Sequence, residues 1–100
     1  MADACVFIIE NVNFDDLKGG KSEIRNCHIN IGTGKEISIK ELSRLIVDTI
    51  GYDGEVVFDT SKPDGTMRKL IDVSKLNSLG WKHKIEIDEG VKRMYEWYIQ

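Results

Sequence analysis

The stretch Ser61-Lys62-Pro63-Asp64-Gly65-Thr66-Met67-Arg68-Lys69 gathers three cations, two hydroxyls and one carboxylate within nine residues. A lysine offers a point charge to a phosphate, and an arginine offers a planar fork to two oxygens. A carboxylate accepts two hydrogen bonds from a ribose diol or a base edge. In Lys62-Pro63-Asp64-Gly65 the proline presets the second position of a turn and the glycine suits the last, so the spacing predicts a structured loop over 60–69. Such a loop suits a nucleoside diphosphate. A solvated basic loop also accounts for the charge, and charge alone does not decide between them.

Other candidate chemistry is weaker. Gly32-Thr33-Gly34-Lys35 follows a predicted strand, but a dinucleotide fingerprint needs a third glycine where Ile37 stands. A phosphate loop needs glycine at Ile29 and a hydroxyl residue at Glu36. These glycines are read as a structural turn that uses positive backbone angles and passes close to a neighbouring element. His28 and His83 have no nucleophile or carboxylate beside them at triad spacing, and Cys27 and His28, adjacent on a strand, point to opposite faces. Cysteines and histidines at 5, 27, 28 and 83 match no zinc pattern, so no metal is expected. Cys5 and Cys27 are read as two buried, reduced thiols.

Charge and composition bound the partners. The segment Ser61–Lys84 carries a net +4, from Lys62, Arg68, Lys69, Lys75, Lys82 and Lys84 against Asp64 and Asp72, while the remainder carries −7. Positive charge concentrated in one quarter of an acidic chain fits a small anion better than a polynucleotide, so nucleic acid is not expected. With 100 residues, 41% hydrophobic, the chain is expected to be one compact domain. No apolar run approaches the roughly 20 residues that span a bilayer, and the first residues lack a basic signal-peptide start, so a cytoplasmic location without membrane attachment is expected.

The elements that must position the loop follow from periodicity. Cys5, Ile8, Ile9 and Val12 predict a helix over the first dozen residues, which opens without a capping signal, as though cut at its front end. Asn13 to Asn26 reads as an exposed loop and Cys27 to Ile31 as a strand. Ser38 and Glu41 form a capping box that opens a helix with the stripe Ile39, Leu42, Ile46 and Thr49 or Ile50, closed by Gly51. Glu55 to Asp59 reads as a second strand, so strand, helix and strand imply a parallel crossover. Asp72 caps a short helix through Leu76 and Leu79 that ends at Gly80, with Trp81 packing back. A last helix carries Ile87, Val91, Met94, Tyr95 and Tyr98 on one face, widened by Trp97. The fold class expected is α/β, with short strands and three to four helices.

Several of these stretches resemble the carboxy-terminal part of the GDP-L-fucose synthase family of extended short-chain dehydrogenases. They are His28-Ile29-Asn30-Ile31-Gly32-Thr33-Gly34, Ile37-Ser38-Ile39-Lys40-Glu41-Leu42, Asp59-Thr60-Ser61-Lys62-Pro63-Asp64-Gly65-Thr66, Arg68-Lys69-Leu70-Ile71-Asp72 and Leu79-Gly80-Trp81. Ala2-Asp3-Ala4-Cys5 resembles the start of the helix that follows the family's dehydrogenase core. The glycine turn and the Asp72 to Trp81 unit resemble many extended short-chain dehydrogenases, whereas Lys-Pro-Asp-Gly-Thr followed by Arg-Lys is narrower.

The resemblance implies an NADP-dependent 3,5-epimerase and 4-reductase acting on GDP-4-keto-6-deoxy-mannose. The family's glycine-rich cofactor motif, its Ser, Tyr and Lys reduction residues and its Cys and His epimerisation pair belong to a preceding Rossmann domain. Residues 1–100 are then a substrate-binding subdomain with no catalytic residue and no cofactor site of its own, and Cys27 and His28 are not that pair. By the same resemblance, Asp64 contacts the nucleoside and Lys69 faces the pyrophosphate. Arg68 and Lys62 either support the loop or face solvent. Met67 stands where the family has proline, which loosens the loop slightly. The expected partners are a GDP-sugar and the missing cofactor-binding domain, with self-association of the fragment through uncovered apolar surface. A non-catalytic interaction module, its basic loop meeting an acidic protein surface, is the rival reading.

Overall fold

The computed structural model describes residues 1–20 and 22–100, which form two compact units. The first comprises Met1–Lys35 with Leu70–Lys84, and the second Glu36–Lys69 with Ile85–Gln100. Among the described residues there are five helices: α1 (Ala2–Asn11), α2 (Phe14–Lys18), α3 (Ile39–Ile50), α4 (Ser74–Ser78) and α5 (Ile87–Tyr98). No strand forms among the described residues, which corrects the expected α/β crossover.

In the first unit Ala4 of α1 and Leu76 of α4 are fully buried and Val73 nearly so. Phe7 and Ile8 are half-buried, whereas Cys5, Val6 and Ile9 are exposed. The face of α1 turned inward is therefore Ala4, Phe7 and Ile8, not Cys5, Ile8 and Ile9. The helix is apolar nearly all round, so its periodicity leaves the direction of the core open. The expected burial of both thiols fails for the same reason: Cys5 lies on the open face, and Cys27 is half-buried.

α2 lies where a loop was expected. Its signals are short-range: Asn13 N–H donates to Asp16 Oδ2 at 2.7 Å, and Gly19 ends the helix with φ 63°. Five residues are too few to show an apolar period. Lys21, within the same expected loop, lies outside the described residues.

The expected strand at Cys27–Ile31 runs without a ladder, and side-chain bonds tie this stretch to the segment around the start of α4. Lys75 Nζ donates to Asn26 O at 2.6 Å and His28 O at 2.9 Å, and Asn30 Nδ2 donates to Asp72 O at 3.1 Å. Beyond it the glycine turn behaves as expected. Gly34 has φ 74°, and a Cβ at Gly32 would stand 2.8 Å from Ile71 Cδ1. Asp72 Oδ1 accepts from Ser74 N–H at 2.8 Å, Gly80 closes the α4 segment with φ 108°, and Trp81 N–H returns to Leu76 O. The Trp81 indole N–H donates to Asp3 Oδ2 at 2.9 Å, tying this turn to the start of α1.

In the second unit α3 packs against α5. Ser38 caps α3 as expected: Glu41 N–H donates to Ser38 Oγ at 3.1 Å, while Ser38 N–H and hydroxyl donate to Glu41 Oε2 at 3.0 and 2.7 Å. Gly51 ends the helix with φ 68°. Leu42, Leu45 and Thr49 are half-buried, but Ile39 and, less so, Ile46 and Ile50 are exposed. On α5 Val91 and Tyr95 are half-buried, and Ile87, Met94, Trp97 and Tyr98 are exposed. No residue of this unit is fully buried. Glu55–Asp59, the other expected strand, is open and unpaired in a ladder, with Val57 76% exposed. A strand needs a partner edge for its N–H and C=O groups, and none is present among the described residues.

Two outcomes follow for stability. Lys75→Met removes two charge-assisted bonds and should lower the unfolding free energy by about 1–2 kcal/mol, measured by urea denaturation. Glu41, Asp72 and Asp59 are all held below the ordinary carboxyl range. The Ser38 hydroxyl and N–H act on Glu41, the Ser74 N–H and hydroxyl on Asp72, and the Ser61 hydroxyl and N–H on Asp59. A carboxyl depressed only in the fold contributes stability that is fully present above its ordinary pKa and is lost as pH falls through the folded one. Unfolding midpoints should be flat above about pH 5 and decline below about pH 4. Ser38→Ala should blunt that decline and lower stability at neutral pH by about 1 kcal/mol.

Candidate functional site

The loop over 59–69 belongs wholly to the second unit. Its fixed point lies earlier than the sequence suggests. Asp59 Oδ1 accepts from Ser61 N–H at 3.0 Å and from the Ser61 hydroxyl at 2.6 Å, and Lys62 N–H donates to Asp59 O at 3.3 Å. The turn therefore spans Asp59–Lys62, because the Asp59 side chain folds the backbone onto itself before Pro63 is reached. Gly65, expected at the end of a turn, has no positive φ, and its Cβ position is open space.

Beyond the turn the chain presents the predicted side chains in two different states. The side chains of Lys62, Asp64 and Lys69 are exposed and make no hydrogen bond or ion pair with a described residue. Arg68 is tied down: its guanidinium donates to Glu36 Oε1 and pairs with that carboxylate, which raises the already high Arg68 pKa. Arg68 is thus paired with Glu36, while the Lys62 side chain is exposed.

Glu36 is the site residue that sequence reasoning passes over. It stands 32 residues from Arg68, and no local pattern joins them. It precedes the Ser38 cap of α3 by two residues.

The basic quarter of the sequence does not form one cluster within a unit. Lys62, Arg68 and Lys69 belong to the second unit, whereas Lys75, Lys82 and Lys84 belong to the first. There Lys75 is engaged with two carbonyls and Lys84 lies 4.0 Å from Asp3. The loop itself is left with three cations against Asp59 and Asp64.

Neither of two shallow hollows in the second unit includes the loop. One, of about 230 Å³, is lined by Lys40, Ser43, Arg44, Val47, Val56 and Phe58. The other, of about 300 Å³, lies among Leu45, Thr49, Asp88, Glu89 and Lys92. The space a Cβ would take at Gly32 and Gly34 is already closed by Ile71 and Val73 side chains. Among the described residues, no three His, Cys, Asp or Glu side chains group as metal ligands, and no helix is long and apolar enough to cross a membrane.

No family model matches the chain. Over all 100 residues it is 46% identical to a protein named putative GDP-L-fucose synthase 2 of Arabidopsis thaliana, covering 27% of it. It is 51% identical over 73 residues, 73% of the chain and 23% of the relative, to the GDP-L-fucose synthase of Escherichia coli K12.

Among solved structures, a GDP-6-OMe-4-keto-L-xylo-heptose reductase of C. jejuni superposes with a TM-score of 0.91 at 50% identity, over 98% of this chain and 28% of that one. A GDP-D-glycero-L-gluco-heptose synthase of Campylobacter jejuni, solved in the presence of NADPH, superposes with a TM-score of 0.85 at 46% identity, over 99% and 27%. The chain thus spans about a quarter of the length of the relatives it matches. Identity over the whole of this chain to curated GDP-L-fucose synthases, and a backbone shared with solved GDP-sugar reductases, match these hundred residues to a carboxy-terminal portion of such proteins.

Proposed function

We propose that this chain is the GDP-sugar-binding lobe of a GDP-L-fucose synthase-like enzyme, an NADP-dependent 3,5-epimerase and 4-reductase acting on GDP-4-keto-6-deoxy-mannose, and that it has no turnover alone. The observation that carries this reading is the state of the loop. Asp64 and Lys69 are left free to meet a ligand while Arg68 is spent on Glu36. Asp64 accepts hydrogen bonds from the nucleoside and Lys69 neutralises the pyrophosphate. Five residues of chain separate them by at most about 18 Å, so both can serve one ligand. Contacts to the nucleotide end hold the remote sugar at the reacting centre, converting binding energy into orientation. The cofactor-binding domain is the proposed partner, and the exposed Ile39, Val57, Met94, Trp97 and Tyr98 supply apolar surface for protein to cover.

One lobe provides part of the grip, so the chain should bind GDP with a Kd in the millimolar range, about −4 kcal/mol. In an NMR titration, shifts confined to residues 59–69, larger for GDP than for ADP and lost in Lys69→Ala, would support the reading. Silence at millimolar GDP, or shifts elsewhere that Lys69→Ala leaves intact, would count against it. The same uncovered apolar side chains should make the chain self-associate as concentration rises. Sedimentation showing a monomer at every concentration would refute that.

A further inference from the structure

We propose that Glu36 is a positioning residue for the nucleotide loop, acting through Arg68, and that Arg68 is not itself a phosphate ligand. The inference rests on the GDP-binding reading for its binding consequence, though not for its structural one.

The physical case begins with the loop's two ends. The first is closed locally, by the Asp59 carboxylate on the Ser61 N–H and hydroxyl. The stretch after it has little of its own to hold it, with Thr60 through Leu70 all exposed and Gly65 in open space. Met67, one residue before the arginine, is 94% exposed and contributes no anchor. Arg68 is where the stretch is fastened again, by a side-chain pair to a residue 32 positions away.

Glu36 is suited to be that fixed point. It leads directly into Ser38, whose capping box with Glu41 fixes the backbone at the start of α3. Its side chain is 39% exposed against 73% for Arg68, so it is the more confined partner. With Arg68 fastened there, the adjacent Lys69 has its backbone placed and its ammonium free.

The sign of one substitution separates this arrangement from a direct role. If Arg68 gripped phosphate, Glu36 would merely compete with the ligand, and removing its negative charge would tighten binding of an anion. If Glu36 positions the loop, removing its charge weakens binding although the site becomes more positive. Because the pair is exposed, the effect is expected to be about two- to fivefold.

The test uses the full chain with Glu36→Gln, Arg68→Gln and the reversed pair Glu36→Arg with Arg68→Glu. Amide exchange over 59–69 is read by NMR, with the helix-bonded Gly90 amide of α5, in the same unit, as a folding control, and GDP affinity is read in parallel. Positioning predicts that both single variants speed loop exchange about two- to fivefold, that the reversed pair restores protection, and that Glu36→Gln weakens GDP binding by a similar factor. Unchanged loop exchange in Glu36→Gln, or tighter GDP binding by it while Arg68→Gln binds more weakly, overturns the proposal. Should no form bind GDP, the nucleotide reading falls, and the exchange data still decide whether Glu36 positions the loop.

Discussion

Extended backbone seeks partners for its N–H and C=O groups, and around Cys27–Ile31 side chains supply some of them, with no sheet among the described residues. Lys75 gives its ammonium to the carbonyls of Asn26 and His28, and Asn30 gives its amide to the carbonyl of Asp72. These contacts fasten the segment before the glycine turn to the segment that opens α4. The close approach then dictates the residues around it. Glycine stands at 32, where Ile71 leaves no comfortable room for a Cβ, and at 34, where φ is positive and Val73 closes in. At this turn two stretches of chain touch.

The second unit distributes its charges in a different way. Its helices carry ordinary surface pairs, such as Glu89 with Arg93 one turn apart on α5. Such exposed pairs contribute little to stability. Their worth lies in placement: Glu36 with Arg68 converts the end of a long excursion into a closed loop, and leaves Asp64 and Lys69 unengaged. The cations in the loop thus have different duties, which a count of charge cannot separate.

Apolar exposure is the other side of this economy. Nearly all the large apolar side chains of α3 and α5 that do not face each other are open, including Trp97 and Tyr98. Val56, Val57 and Phe58 have the composition of a strand and the exposure of an unsupported one. Their residue types suit a packed surface, and the described residues do not provide one.

What the sequence determined by itself is local. The capping box at Ser38, the stop at Gly51 and the positive-φ glycine at 34 depend on neighbours within a few residues, and each stands where its pattern puts it, while Asp72 meets the Ser74 N–H from one residue before the N-cap, Val73. The Lys-Pro-Asp-Gly-Thr loop was legible as a motif for the same reason. The short helix at Phe14–Lys18 was legible only in its caps, which are brief signals without a period to support them. Tertiary structure decided the rest: which face of α1 is buried, whether β-rich segments pair, where the loop is fastened and which of its cations remains free. Each of these depends on groups far apart in the chain, as Glu36 and Arg68 are, and periodicity carries no record of a contact between residues that share no local pattern.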